Sequence, residues 1–496
     1  MKCWCGSMAE QLICNQQVVG STPITSSNMG AFPSGQRGQT VNLLSVTSVV
    51  RIHPLPPEKD DCYAVVFFLY LVDLGDTEVN FMKERIIEAI DNNRDAIISC
   101  GEYILNNPEL GFKEFKTSEY VKNEFTKLGI PYRDNVAITG VIGVVGDPNA
   151  DINVCVIGEM DAIKCFEHPN ADPITGAVHA CGHNAQIAQM IGAAYGIVKS
   201  GVLNECSCKI TFLAVPAEEF AELDYRGHLI NDGKITYMSG KQELIHLGFF
   251  DDVDIAMMIH AQALTPAPRL FMNGSSLGFE AKKITFTGVS AHGSEPWNGV
   301  NALDAAVMTI NGINANRTTF KDSDRVRIHP IISNGGDLVN VIPNKAVIET
   351  FVRGANTAAI VDACNKVDNA AKAGALAMGA SCEIENIKGY APLMQDVTLS
   401  KIFEDNALEF IGSDKVEHFM DMTGSTDMGD VSAILPAIQP TIGGFDGALH
   451  SKDFTIVDKE FVYLTASKIL ACTVYDLIKD NCAIARKIKS EFKHEK

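Results

Sequence analysis

Three short, nearly continuous apolar runs constrain this chain more than any other feature: residues 152–157, 208–215 and 253–259. Such runs are what strands buried on both faces require, and they point to a largely parallel sheet. Helical stretches separate them, notably residues 186–199, and the alternation is that of an α/β domain. Each run ends in polar chemistry. Glu159-Met160-Asp161 closes the first, Pro216-Ala217-Glu218-Glu219 the second, and His260 the third. In open α/β sheets the carboxyl ends of the strands are where ligands bind.

The chain of 496 residues is long enough for two domains. Its formal net charge of −20 argues against binding a phosphate backbone, which needs clustered Lys and Arg, so no nucleic acid partner is expected. The 14 cysteines follow no repeating framework and read as reduced thiols of a cytoplasmic protein. No membrane partner is expected, because the apolar run at 63–72 is too short to span a bilayer.

Residues 1–81 differ from the rest. They lack helical periodicity, and Val18-Val19-Gly20-Ser21-Thr22-Pro23 and Val49-Val50-Arg51-Ile52-His53-Pro54 resemble translated transfer-RNA genes. The segment reads as a spurious or disordered extension, with translation expected to begin at Met82. The Cys3–Cys5 pair is discounted with it.

From Met82 the pattern is regular. Residues 82–106 and 114–128 read as amphipathic helices. From about Gly278, strands at 282–288, 325–333, 346–353 and 381–387 alternate with helices at 301–314 and 357–377. That β-α-β-β-α-β order is ferredoxin-like. The expected layout is a catalytic domain of residues 82–277 and 390–496, with a mixed, largely parallel sheet flanked by helices. A lid or dimerisation domain, residues 278–389, is inserted in it. The last helix is expected to end near Ala485.

Candidate chemistry begins with His179-Ala180-Cys181-Gly182-His183. A Cys and a His two apart, on a glycine turn before a helix, can reach one metal, and thiolate with imidazole suits zinc or other divalent transition metals. Glu218 and Glu219 end a buried strand, where paired carboxylates are costly unless they bind cations or move protons. A lone histidine such as His260 is more often structural. His450 lies in the Gly443–Ser451 stretch. Taken together, thiolate, imidazoles and carboxylates make a metal shell with one carboxylate spare, which metal-assisted hydrolysis needs as a general base.

These residues resemble the aminoacylase and carboxypeptidase superfamily of co-catalytic metallopeptidases, in the branch of indole-acetyl-amino-acid hydrolases and the p-aminobenzoyl-glutamate hydrolase subunit. His-Ala-Cys-Gly-His, Pro-Ala-Glu-Glu, Ala291-His292, Asn340-Val341-Ile342-Pro343 and the Gly-Gly…Leu-His-Ser element occur in family order. Asn184 and the stretch from Gly424 to Ser432 look closer to the aminobenzoyl-glutamate subgroup. The resemblance implies two divalent ions, manganese or zinc, on Cys181, His183, Glu219, His260 and His450. It implies Glu218 as general base and Asp161 as the acid that orients a ligand. His292 and Asn340 would serve an active site from the lid, that of a homodimer partner, and Arg353 would hold a substrate carboxylate. Glu159 stands where relatives often have Asp, in a position expected to bind no metal. The long polar segment 220–247 is expected beside the site, with His168 and His179 as supporting or structural histidines. The implied reaction is hydrolysis of a small-molecule amide: an N-acyl amino acid, aminobenzoyl-glutamate or a dipeptide-like compound. The alternatives are a catalytically silent binding homologue and a structural-metal protein.

Overall fold

The computed structural model describes residues 81–418 and 421–493. The readings made on residues 1–80, including the extension and Cys3–Cys5, lie outside the described residues.

Helix 81–92 is followed by a break at Asn93 and then by α1 (Arg94–Leu105), so the single helix expected over 82–106 is two. Next come α2 (Phe115–Leu128), β1 (Tyr132–Val136), β2 (Gly140–Gly146), β3 (Asn153–Glu159), α3 (His183–Ser200) and β4 (Lys209–Val215). The segment after β4 holds α4 (Leu223–Asn231) and α5 (Gly240–His246), and β5 (Ile255–Met257) follows. The expected strand 253–259 is therefore shorter, and His260–Ala261 pairs in a separate small sheet beside Thr441–Ile442.

The inserted unit contains β6 (Gly278–Thr287), α6 (Ala302–Asn316), β7 (Arg327–Asn334), β8 (Lys345–Gly354), α7 (Thr357–Met378) and β9 (Ser381–Lys388). Then come α8 (Val397–Leu408), β10 (Ala437–Ile438) and α9 (Ala466–Glu491). The last of these runs past Ala485, with non-helical backbone at Lys479 to Cys482.

The main sheet has the order β1-β2-β4-β3-β5-β10. β3 is parallel to β4 and β5, and β10 is parallel to β5. The β1–β2 hairpin, which the apolar runs did not reveal, adds the antiparallel edge. Alternate side chains of β3 feed two cores. Val154 and Val156 pack in one with α1, α3 and α9. Cys155 and Ile157 pack in the other with Phe112, Leu229 and Leu244. Full burial of an aliphatic side chain contributes about 1.5–3 kcal/mol, so both faces must be covered. The 220–247 segment supplies that cover on the second face through α4 and α5. α9, with the turn before it, is long and apolar enough to cross a membrane, but 83% of the apolar window is buried inside the protein, as in a core helix.

The inserted domain has a sheet of order β7-β8-β6-β9, all antiparallel, covered by α6 and α7. Ile284 sits at its centre, opposite Ile348 and Ile384. Asn301 and Asn356 cap the two helices by accepting backbone N–H bonds, each worth about 1 kcal/mol.

Candidate metal centre

Parallel strands deliver the polar groups to one edge of the main sheet. β3 ends on Glu159 and is followed by Asp161; β4 is followed by Glu218 and Glu219. α3 starts three residues earlier than the apolar pattern implied, so His183 occupies its first turn. Gly182 makes the turn possible: its φ is +81°, and a Cβ there would sit 2.8 Å from that of Ala261. His450, also with positive φ at 59°, donates its backbone N–H to the Ala180 carbonyl and so lies beside Cys181.

Around Cys181 the side chains converge. Its Sγ lies 3.4 Å from His260 Nε2 and 3.3 Å from His450 Nε2. His450 Nε2 is 3.0 Å from Glu219 Oε1. Two three-donor groups, each of a size to hold an ion, share the thiol: Cys181, His183 and His260, and Cys181, Glu219 and His450. A third, Glu159, His183 and Glu218, adjoins the first. The centre is closed at one end and open at the other. His183 and Glu159 have fully buried side chains, whereas that of His450 is 43% exposed.

Asp161 braces the arrangement. Its main-chain carbonyl is 2.8 Å from His183 Nδ1, and its carboxylate is 3.3 Å from the same nitrogen. That leaves Nε2 to face the other donors. The same carboxylate accepts the backbone N–H groups of Glu218 and Glu219 at 3.1 and 3.0 Å. Burial alone would raise its pKa, but the His183 bond overrides this and holds it at about 2.

The electrostatics call for cations. Burial should raise the Cys181 thiol, yet His260 and His183 hold it well below its usual value. Burial should lower the imidazoles, yet the charges of Glu159 and Cys181 hold His183 well above, and bonds to Cys181 and Glu219 hold His450 at about 11. Protons thus gather where the donor set would otherwise hold metal. Burial and Cys181 push Glu219 to about 7. Burial and Glu159 push Glu218 well above the carboxylate range. His183 Nε2 makes no hydrogen bond although fully enclosed. This soft-and-borderline set of one thiolate, three imidazoles and carboxylates fits divalent transition metals.

Several supports carried no sequence signal. Glu114, buried at the start of α2, accepts from Ala217 N at 2.8 Å and Thr139 Oγ1 at 2.6 Å. Burial and Asp161 raise its pKa to about 8. Tyr390 donates its hydroxyl to the Glu218 carbonyl. Lys241, on α5, is fully buried between Glu159 and Asp427. The position of Glu159, expected to bind no metal, is 3.1 Å from His183 Nε2.

The remaining predicted residues lie elsewhere. His292 and Asn340 are neighbours in the inserted domain, joined by the Gly293 N–H to the Asn340 carbonyl, and both are exposed. Arg353 stacks over Phe279 and Phe351 and donates to Ser425 Oγ at 2.5 Å. His168 is structural, bonding Phe454 O and Asn170 N. His179 is buried and unpartnered, and burial lowers its pKa to about 3.

A mixed α/β sheet with an inserted ferredoxin-like domain, carrying a thiolate–imidazole–carboxylate cluster at its strand ends, defines a metal-dependent hydrolase of amide or peptide bonds. Residues 277–378 match the family model of the peptidase dimerisation domain. The chain is 27% identical over 433 residues to the human Xaa-Arg dipeptidase, covering 82% of this chain and 90% of that one. A dinuclear metal binding peptidase from Bacillus subtilis superposes with TM-score 0.62 at 20% identity, over 78% of this chain and 99% of that one. The aminobenzoyl-glutamate utilization protein from Klebsiella pneumoniae does so with TM-score 0.59 at 17% identity, over 79% and 98%. These matches support the resemblance to the aminoacylase and carboxypeptidase superfamily of co-catalytic metallopeptidases.

Proposed function

We propose that the chain hydrolyses an N-acyl amino acid, aminobenzoyl-glutamate or a dipeptide-like amide at a centre for two divalent ions, manganese or zinc. The observation that carries this reading is the sharing of Cys181 between two three-donor groups, with Glu218 left over beside them. Cys181, His183 and His260 would hold one ion, and Cys181, Glu219 and His450 would hold the other. Two such ions, when bound, lower the pKa of a water and polarise the scissile carbonyl.

The chain's own residues do the rest. Glu218 takes a proton from the attacking water and returns it to the leaving amine nitrogen. Its high proton affinity in the metal-free state reflects burial among carboxylates and falls as cations enter. Asp161 keeps His183 turned so that Nε2 faces the ion. The exposed His450 end is the route by which substrate enters. His292 donates to the oxyanion and Asn340 grips substrate, both from the lid of a homodimer partner, as the dimerisation-domain match supports. Arg353, stacked beside Phe220, takes a substrate carboxylate.

The test is a substrate panel on the purified full chain with manganese or zinc: N-acyl amino acids, aminobenzoyl-glutamate, and dipeptides including those ending in Arg. Turnover that Glu218→Gln abolishes while retaining metal is the expected result. Metal uptake with no turnover on any substrate would favour a silent binding homologue.

A further inference from the structure

The residue just before the general base has an uncommon backbone. Ala217 is fully buried with φ at +53°, in the left-handed region where any residue but glycine is strained. Such strain persists only where the surroundings impose it. Segments distant in sequence do so here. Glu114 Oε1 accepts the Ala217 N–H at 2.8 Å, and Gly240 donates its backbone N–H to the Ala217 carbonyl at 3.3 Å. Gly111 packs against the turn, where a Cβ would lie 3.0 Å from both Ala217 Cα and Ala217 Cβ. The Thr139 hydroxyl fixes Glu114 in turn, donating to Oε2 at 2.6 Å.

Glu114 is a costly residue to place there. It is wholly buried, and among the described residues no Lys, Arg or His forms an ion pair with it. Burying a carboxyl group without a cation is unfavourable. Its side-chain bonds go to Ala217 and to Thr139, not to a metal-binding side chain. What the turn sets is the course of the chain beyond it. β4 ends at Val215, and Pro216 has no N–H with which to continue the ladder. After the reversal at Ala217, the Glu218 and Glu219 N–H groups meet the Asp161 carboxylate, and Glu218 Oε2 comes to 3.9 Å from His183 Nε2.

We infer that Glu114 is a positioning residue for the reaction: by holding Ala217 in the left-handed conformation it aims the Glu218 carboxyl at the attacking water. This rests on the hydrolase reading above. Glu114 acts through the backbone and touches neither the ions nor the substrate.

The experiment compares the full chain with its Glu114→Ala and Glu114→Gln variants, each loaded with zinc. It uses zinc titration, crystallography and turnover of the same panel of acyl amino acids, aminobenzoyl-glutamate and dipeptides. Glu114→Ala keeps both zinc ions, because Asp161 still anchors the Glu219 N–H, and keeps KM. Its kcat falls about 10²-fold, the scale of loss from a small misplacement of a reacting group. Its crystal structure shows Ala217 at negative φ and the Glu218 carboxyl displaced. Burial and Asp161 raise the Glu114 pKa to about 8, so neutral glutamine is a close mimic that keeps the acceptor for Ala217 N. Glu114→Gln therefore restores both the rate and the turn. Should Glu114→Ala fail to fold by circular dichroism, Thr139→Val, which frees the Glu114 carboxyl, takes its place and lowers kcat in the same sense. Wild-type kcat in the alanine variant, an Ala217 that stays at positive φ, or zinc lost along with the rate would each overturn the inference. A wild-type chain silent on the whole panel would overturn the hydrolase reading instead, and the Ala217 conformation in the crystal structures would still decide this one.

Discussion

Asp161 holds His183 twice, through its main-chain carbonyl 2.8 Å from Nδ1 and through its carboxylate 3.3 Å from the same atom. The carboxylate also gathers the backbone N–H groups of Glu218 and Glu219, so one residue aligns donors from two other parts of the chain. Asp161→Asn keeps the shape but removes the charge and half of the acceptor capacity. We expect zinc affinity to fall roughly 10–100-fold, as for other residues that orient ligands, with far-ultraviolet circular dichroism unchanged. An unaltered affinity would show that His183 needs no brace.

Glu114 makes the metal-free protein sensitive to pH. Burial, then Asp161, raises its pKa from 4.5 to about 8. Below this window folded and unfolded chains both carry the proton, and above it neither does. Within it the folded chain retains a proton that the unfolded chain has lost, so this group's contribution to stability declines as pH rises from 4.5 to about 8. Glu114→Gln keeps an acceptor for Ala217 N and should flatten that decline. Melting temperature against pH for both proteins is the check, and parallel curves would contradict the assignment.

Gly182 is needed for its backbone and for its size. At φ +81°, with a Cβ position 2.8 Å from Ala261 Cβ, an alanine is strained twice. The left-handed conformation alone costs about 1–2 kcal/mol. Gly182→Ala should lower the melting temperature and weaken both ions together, because Cys181 and His183 flank the turn. Loss of only one ion would mean the turn yields locally.

The exposed His292 is expected to act on substrate without touching the ions of its own chain. His292→Ala should leave zinc uptake intact and lower kcat by about 10²–10³, the usual effect of removing one oxyanion donor. A drop in metal content instead would place this histidine among the ligands.

Much of this was legible in the sequence, because buried strands and strand-end chemistry leave strong local signals. The runs at 152–157 and 208–215 became β3 and β4, and Cys181, His183, Glu219, His260 and His450 came together around one thiol. What was not legible depends on partners distant in sequence. The first strand of the β1–β2 hairpin is partly polar, and the apolar run of the second, Gly140–Gly146, is broken up by three glycines. Lys241 looks like any surface lysine until α5 buries it between Glu159 and Asp427, 82 and 186 residues away. The 220–247 segment reads as polar, yet Leu229 and Leu244 face inward and cover a sheet face.

The shared thiol is tested most directly by anomalous diffraction from a crystal of the full chain grown with zinc. The account predicts two peaks per chain, about 3.5–4 Å apart as in other two-metal sites, each within about 2.3 Å of Cys181 Sγ. A single peak, or two of which one lies away from that sulfur, would contradict it.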